Sequence, residues 1–479
     1  MRMAGGKFKF YGTFSLLAAA LLGLGGCASA PVRDAQTVPA QPLARLLVDA
    51  DGPATQAMTH ALAGEFALVD GNLPAANRAY AAAAAQSNDP RVAERSAQLA
   101  LAQDDRPGAA AAIARMQASG ADAKALLRER ARLALLQGQR EQALADLRQL
   151  LAPGDHEAWR EVARLLAQAR DPAAAGTLLE QLATPASLPA KDPSMWVAMS
   201  QLGEKLQRHR YAESLADAAA ARFDDATVLA WAAHLKLQKD DTKTAADLYR
   251  RAVALQPKAI RLRLGYAAVL SQQGANKVAA AMLADGPQDF QTYAARAAYL
   301  ARAEDMGGMR QVYKQLAAAA PTLDVNASFL LGQLADADKK PAAAIGWYAK
   351  VPLDDEHYFE ANARRAVLLS RQGSGGIAAA HALVAQLVHE SQGDDKQLLQ
   401  ALLLDAQIYT GNGDTAGAIA AYGRGLAQLP QSAELLYGRA LSLADAGKTA
   451  ASITDLRAVL KLQPDDIDAA NALGYTLAD

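Results

Sequence analysis

The sequence predicts an all-α protein built from a repeated pair of helices, and three observations support this prediction. Of its 479 residues, 51% are hydrophobic, which is enough to form a folded core. Alanine, the strongest helix former, is used heavily, whereas strand-forming residues are sparse and no long stretch alternates with period two. Small and large apolar residues recur every 34 positions near the carboxyl end. A fixed period of this length is typical of stacked helical repeats.

The charge balance argues against nucleic-acid binding. The 49 basic and 50 acidic side chains give a net charge of −1, without the basic stripe that phosphate backbones require. Arg128, Arg130 and Arg132 form a local basic cluster, but Glu129 and leucines interrupt it. We therefore interpret this cluster as the solvated face of a helix.

The amino terminus has the pattern of a secretory signal. Arg2, Lys7 and Lys9 precede a short apolar run at residues 13–24, which is too short for a mature membrane-spanning helix. Leu24-Gly25-Gly26-Cys27 follows, and Cys27 is the single cysteine of the chain. A chain with a single cysteine can form neither an intrachain disulfide nor a metal site built from cysteines.

This tetrapeptide resembles the lipobox of bacterial lipoproteins. The resemblance implies cleavage before Cys27, with acyl chains on its thiol and on the new amino group, such as palmitate. Several acyl chains hold a membrane more firmly than one, at about 0.8 kcal/mol per buried CH₂ group. Ala28 stands where Asp would favour inner-membrane retention, so the resemblance implies the periplasmic face of the outer membrane. The alternatives are an uncleaved anchor, or a cleaved signal with a buried cysteine.

The segment after Cys27 predicts a tether. It is rich in Ala, Pro, Asp and Gln, has no clear period up to about residue 55, and contains Pro31, Pro39, Pro42 and Pro53. We expect it to let the folded part stand away from the membrane.

The 34-residue period assigns a role to several residue types. Ala406, Ala440 and Gly474 are small residues spaced 34 apart, as expected where two helices cross closely. Gly413 and Gly447 share the interval and suit a left-handed turn after the first helix of a pair. Two further pairs share the spacing: Tyr422 with Leu456, and Pro430 with Pro464.

This pattern resembles the tetratricopeptide repeat (TPR). The resemblance implies an α-solenoid, a right-handed superhelix of helix-turn-helix units, over most of the chain after about residue 57. We count about twelve repeats and a fragment, with a contracted unit near residues 285–288 and an inserted loop at 391–395. The predicted divisions are a signal peptide (1–26), Cys27 with its tether (27–55), divergent repeats (56–225) and closer repeats (226–479). The last repeat is cut short, so we expect a longer protein.

No pattern in the sequence indicates catalysis or a cofactor. The seven histidines are scattered, without an H-E-x-x-H pair or a metal-binding spacing, and no G-x-S-x-G motif occurs. His381 and His389 lie eight residues apart, and we interpret them as surface or partner contacts. We therefore predict a non-enzymatic protein with no catalytic residue, metal site, cofactor or small-molecule substrate.

Stacked repeats expose a long concave surface lined by the first helix of each pair. In this family, inner-face side chains one turn apart usually contact the ligand, and the resemblance carries that role to mostly polar positions suited to extended peptides. The predicted partner-binding residues are Gln201, His234, Arg261, Gln272, Arg302, Asn326, Gln333, Arg371, Gln407 and Tyr437.

Two short segments, residues 92–100 and 471–479, resemble those of large proteobacterial outer-membrane repeat lipoproteins. One such protein is the lipoprotein adaptor of a periplasmic carboxyl-terminal processing protease, which presents cell-wall hydrolases for degradation. We expect a protein-binding adaptor of this type. The alternatives are an assembly or secretion scaffold for pili, exopolysaccharide or outer-membrane proteins, and the non-catalytic part of an enzyme whose catalytic domain lies beyond residue 479.

Overall fold

A computed structural model describes residues 52–151, 155–323 and 325–478 of the chain. Within these residues it contains 25 α-helices, one short 3-10 helix at Ala320–Thr322 and no strand, which confirms the all-α prediction. The predicted signal peptide, Cys27 and nearly all of the tether lie outside the described residues. The first helix begins at Pro53, within the last three residues of the predicted tether.

The chain forms two compact units that divide between Ala121 and Asp122. Four helices make up the described part of the first unit: α1 (Pro53–Val69), α2 (Leu73–Gln86), α3 (Pro90–Ala102) and α4 (Arg106–Ala118). Consecutive helices pack against each other, and Tyr80, Ala76 and Leu99 are buried between them.

The second unit contains the other 21 helices of the described chain. Its first half consists of α5 (Ala123–Gln137), α6 (Arg140–Leu150), α7 (His156–Ala167), α8 (Pro172–Leu182), α9 (Pro193–Lys205), α10 (His209–Arg222), α11 (Ala226–Leu237), α12 (Thr242–Leu255), α13 (Ile260–Gln272), α14 (Asn276–Ala284), α15 (Phe290–Arg302) and α16 (Met306–Ala319). Its second half consists of α17 (Ser328–Ala337), α18 (Pro341–Tyr348), α19 (Tyr358–Ser370), α20 (Gly373–Glu390), α21 (Asp395–Gly411), α22 (Thr415–Gln428), α23 (Ala433–Asp445), α24 (Thr449–Leu462) and α25 (Ile467–Ala478).

The helices form twelve successive pairs followed by α25. In each pair the odd-numbered helix, here called helix A, packs against the even-numbered helix B. Some helices A also contact the helix A of the next pair, as in α19 with α21, α21 with α23 and α23 with α25. Elsewhere the helices B make this contact, as in α2 with α4 and α6 with α8. The arrangement agrees with the predicted count of twelve repeats and a fragment.

Small residues lie at the predicted helix crossings. Ala406 and Ala440 are fully buried, and so are the small residues Ala418 of α22 and Ser452 of α24. Gly474 has the equivalent position in α25 but is exposed, since no helix within the described chain covers that side of α25.

A left-handed residue links helix A to helix B in most pairs. Gly413 and Gly447 have φ values of 76° and 69°, as predicted. The same turn contains non-glycine residues in other pairs, including Asp104, Asp240 and Lys339, with φ values between 56° and 59°. The turn is therefore a property of the repeat, and glycine is only the least strained way to make it.

Aspartates begin many of the helices. The Asp241 carboxylate accepts the N–H of Thr244, and the Asp414 carboxylate accepts that of Gly417. Asp466 does the same for Ala469 at the last repeat boundary. A side-chain acceptor here satisfies an N–H that the helix cannot, and typically contributes about 1 kcal/mol.

Three local predictions can be compared with the structure. The contraction near residues 285–288 is confirmed: helix α14 has only nine residues before this segment. The loop predicted at 391–395 is confirmed in its place, because residues 391–394 connect Glu390 at the end of α20 to Asp395 at the start of α21. The extra residues of this repeat lie in the two helices, which have 18 and 17 residues. The solvated face predicted for Arg128, Arg130 and Arg132 is only partly exposed, since their side chains are 28% to 39% exposed. Arg128 and Arg132 both pair at 3.0 Å with the Glu129 carboxylate, which is fully buried.

Among the described helices, none combines the length and the apolar character that a bilayer crossing requires.

Candidate partner-binding surface

The ten predicted partner-binding residues all lie on helices A of the second unit or directly beside their ends. Nine are exposed and Tyr437 is half-buried. We call the exposed and half-buried side chains of these helices the A-helix surface. Contact of these ten residues with a partner stays a prediction. Their contacts within the chain differ from one residue to the next.

Of the four predicted residues on helices α9 to α13, three lie before the last residue of their helix. Gln201 is exposed on α9, and Arg261 is exposed in the first turn of α13. His234 on α11 lies beside the Trp231 ring, with 5.5 Å between ring centroids, and its Nε2 atom is 3.1 Å from Nε2 of Gln238. These side chains leave hydrogen-bonding groups available at the surface.

Gln272 and Arg302 end neighbouring helices A. Gln272 is the last residue of α13 and Arg302 the last of α15. Arg302 Nη1 donates to Ser271 Oγ at 3.2 Å, and its guanidinium lies 5.9 Å from the Tyr299 ring centroid. The structure therefore brings these two predicted residues to the same edge of the A-helix surface.

Asn326 and Arg371 lie outside the helices themselves. The Asn326 side chain accepts the Ser328 N–H at 2.8 Å and donates to the Lys350 carbonyl at 3.3 Å. The oxygen and the nitrogen of its side-chain amide therefore both hold the chain at the amino-terminal end of α17. Arg371 directly follows the last residue of α19 and is exposed.

Gln333 lines a groove formed by α17, α19 and α21, with Tyr348 of α18 at its base. This groove, which we call the α19 groove, has a volume of about 550 Å³. Aromatic, polar and apolar side chains all contribute to it. Its lining residues are Phe329, Gln333, Asp336, Ala337, Tyr348, Glu360, Ala363, Arg364, Val367 and Leu404.

The aromatic residues of the α19 groove are held in place. Phe329 stacks on the His357 imidazole, with ring centroids 4.3 Å apart and an interplanar angle of 10°. The Tyr348 ring lies 6.1 Å from Phe329 and is almost fully buried. Burial, and secondarily Asp336, raise the pKa of Tyr348 to about 12, so its phenol is neutral at physiological pH.

The charges of the α19 groove are one cation and two anions. Arg364 Nε donates to Asp336 Oδ2 in an ion pair, and this hydrogen bond raises the pKa of Arg364. Glu360 is exposed in the first turn of α19 and has no cation partner among the described residues. The lining side chains therefore carry one uncompensated negative charge.

Sequence reasoning missed most of this groove because it selected polar positions. Phe329 precedes Gln333 by four residues and Asp336 follows it by three, so all three lie on one face of α17. Val367 and Leu404 are apolar positions on the next two helices A. Extending the one-turn spacing to apolar residues would have found them.

The last two predicted residues lie beyond the groove. Gln407 on α21 is exposed, one turn from Leu404. Tyr437 on α23 is half-buried, and burial followed by the charges of Asp468 and Asp466 raises its pKa.

Away from the groove, a cluster of titratable side chains surrounds His381. Its Nδ1 atom is 2.7 Å from Asp405 Oδ1, its ring stacks on Tyr409 at 3.8 Å, and Arg424 pairs with the other Asp405 oxygen at 2.8 Å. His381 is therefore not the surface residue that was predicted, since its side chain is only 17% exposed, whereas His389 is exposed. A partner contact of either histidine stays a prediction. The cluster links α20, α21 and α22. Among the described residues, no three His, Cys, Asp or Glu side chains are grouped to hold a metal ion.

Comparison with known proteins gives one curated relative. No protein-family model matches the chain. A TPR repeat-containing protein of Pseudomonas aeruginosa is 32% identical over 154 residues, which are 32% of this chain and 25% of that protein. The chain thus spans about a quarter of the length of the curated relative that it matches.

Similar solved structures include two bacterial TPR proteins. The carboxyl-terminal part of one from Cytophaga hutchinsonii is 14% identical, with a TM-score of 0.35, covering 66% of this chain and 99% of that one. One from Parabacteroides merdae is 14% identical, with a TM-score of 0.29, covering 60% and 98%. TM-scores this low give no support for the fold beyond the helix pairs seen in the chain itself. The repeated helix pairs, the left-handed turn within most of them and the Pseudomonas relative identify the chain as an all-α protein with the TPR α-solenoid fold.

Proposed function

We propose that this chain is a membrane-anchored scaffold that binds extended segments of partner proteins along its A-helix surface. The observation that carries the proposal is the α19 groove, to which three neighbouring helices A contribute both hydrogen-bonding and apolar side chains. An extended peptide needs this combination, because its backbone requires hydrogen bonds and its side chains require apolar pockets.

The proposed route of recognition uses the two kinds of side chain differently. Gln333 is exposed and offers an amide that can both donate to and accept from a peptide backbone. Phe329, Val367 and Leu404 supply apolar surface for side chains of the peptide. Because Phe329 is already stacked on His357, little side-chain entropy is lost when a ligand covers it.

The proposed location is the periplasmic face of a bacterial outer membrane, with the anchor at Cys27. This part of the proposal is supported by the lipobox-like sequence and by Ala28 after it. The curated relative is also bacterial. A tether ending near Pro53 would leave the A-helix surface accessible to periplasmic proteins.

For the partner, we propose a periplasmic carboxyl-terminal processing protease and its cell-wall hydrolase clients. The support is the resemblance of residues 92–100 and 471–479 to outer-membrane repeat lipoproteins. On this account the scaffold holds a client near the protease and has no catalytic residue of its own.

Crosslinking in whole cells, followed by purification of the anchored protein and mass spectrometry, tests this proposal. We expect enrichment of a PDZ-containing serine protease, and slower degradation of a cell-wall hydrolase when the scaffold gene is deleted. Enrichment of a pilus, exopolysaccharide or barrel-assembly machine instead would contradict the adaptor role and retain the scaffold role. Activity of a catalytic domain beyond residue 479, without stable partners, would contradict both.

A further inference from the structure

The α19 groove has a chemical bias beyond general peptide binding, because its charges do not cancel. The Arg364 guanidinium is already paired with Asp336, whereas Glu360 has no cation partner among the described residues. Glu360 lies in the first turn of α19, where the helix dipole stabilises a carboxylate. This stabilisation does not neutralise the negative charge of Glu360. A ligand with a positive charge would compensate Glu360 without displacing an existing ion pair.

The walls near Glu360 fit the stem of a long side chain. Ala363 and Val367 follow Glu360 along the same face of α19, and Leu404 faces them from α21. The Phe329 and Tyr348 rings close the opposite side. Lysine and arginine bury their methylene stems against apolar surface while the charged group stays at a polar or aromatic rim.

Resting on the function proposed above, we infer that the α19 groove takes a lysine or arginine side chain of the partner segment. The carboxylate of Glu360 binds the cation, and the apolar and aromatic walls bind its stem. The preferred partner is therefore an extended segment with a basic residue, rather than an acidic or purely apolar one.

A peptide library separates this inference from the proposed function. Phage displaying random dodecapeptides are selected on the purified protein, on Glu360→Lys and on the control Glu356→Lys. Glu356 has an 88% exposed side chain, lies four residues before Glu360 and does not line the groove. Circular dichroism confirms that each variant is folded before selection.

We expect peptides selected on the unaltered protein and on Glu356→Lys to be enriched in Lys and Arg. Those selected on Glu360→Lys should be enriched in Asp and Glu. A selected basic peptide should bind Glu360→Gln about three- to tenfold more weakly than the unaltered protein, because one charge pair at a partly exposed site is lost. The difference should shrink as salt is raised from 0.05 to about 0.5 M.

Two outcomes overturn the inference in distinguishable ways. Selection of peptides without a basic preference, or with the same preference on Glu360→Lys, contradicts the basic-residue site but leaves peptide binding intact. Failure to select any peptide on the unaltered protein contradicts both the inference and the proposed binding of extended segments.

Discussion

Gly332 of α17 packs directly on the ring of Tyr348 of α18, the aromatic residue at the base of the α19 groove. A Cβ atom at Gly332 would lie 2.5 Å from Tyr348 ring carbons, which is closer than real Cβ contacts. The first unit repeats this relationship, with Gly64 against Tyr80 at the same separation of 16 residues and the same 2.5 Å. The glycine therefore makes room for an aromatic ring between the two helices of a repeat.

This packing predicts that Gly332→Ala destabilises the protein by about 1–2 kcal/mol. The Tyr348 ring is only 2% exposed and cannot move away without repacking, and the cost of overpacking exceeds the gain in helix propensity. Urea unfolding followed by circular dichroism measures the change. The matched control is Gly346→Ala in α18, where a Cβ atom meets nothing within 4 Å and a small stabilisation is expected. Equal effects of the two substitutions would contradict the packing account.

The turn between helices A and B predicts opposite effects for two substitutions. Gly413→Ala should destabilise by about 1 kcal/mol, because φ is 76° and an L side chain is strained there. Lys339→Gly should stabilise by up to about 1 kcal/mol, since Lys339 already has a φ of 56° and is exposed. Unfolding free energies check both, with Lys339→Ala as the control that keeps the strain. Destabilisation by Lys339→Gly would show that the lysine side chain matters more than the turn.

The ion pairs between α10 and α11 predict a pH-dependent contribution to stability. Hydrogen bonds from Lys239 and Lys236 lower the pKa of Glu213, and Lys236 Nζ lies 2.9 Å from Glu213 Oε1. A carboxyl whose folded pKa is depressed stabilises the folded state above its ordinary pKa, and this stabilisation is lost as pH falls through the folded pKa.

Hydrogen exchange of the α10 and α11 amides measures this contribution. At pH 7, Glu213→Gln should weaken protection by about 0.5 kcal/mol, which is typical of a largely solvent-accessible pair. The difference from the unaltered protein should shrink towards zero as pH falls below the ordinary range of a glutamate. Glu356→Gln serves as the exposed control. A difference that grows on acidification would have the wrong sign for this account.

The lipobox-like sequence predicts that Cys27 carries the lipid. Cells given labelled palmitate should incorporate it into the unaltered protein and not into Cys27→Ser, which lacks the thiol nucleophile. Density-gradient fractionation should place the unaltered protein with the outer membrane, and Ala28→Asp should move it to the inner membrane. Labelling of Cys27→Ser, or release of the unaltered protein as a soluble species, would contradict the anchor.

The fold could be predicted where the same structural position of successive repeats requires the same type of residue. Ala406, Ala440 and Gly413 are nearly obligatory at a close crossing or a left-handed turn, so their spacing revealed the period. Pairs whose turn contains Asp240 or Lys339 do not show this signal, since any residue can adopt the turn at some cost in strain. This explains why the repeat boundaries were less clear upstream of the last repeats.

The candidate site could be predicted only in part. Gln333 was found because polar residues were sought on the inner face of helices A. Glu360 and Leu404 come together only when three helices stack, and a single sequence does not give that distance. The burial of Glu129 and His381 was missed for the same reason, because their partners determine which way a charged side chain faces.

Site-specific photocrosslinking tests most directly whether the A-helix surface binds protein partners. A benzophenone amino acid replaces Gln333 in the α19 groove or, as the control, Ala342, which is exposed on helix B of the same repeat. After irradiation of living cells, the account predicts discrete protein adducts from position 333 and none from position 342. Equal adducts at both positions, or adducts only at 342, would contradict the assignment of the binding surface to helices A.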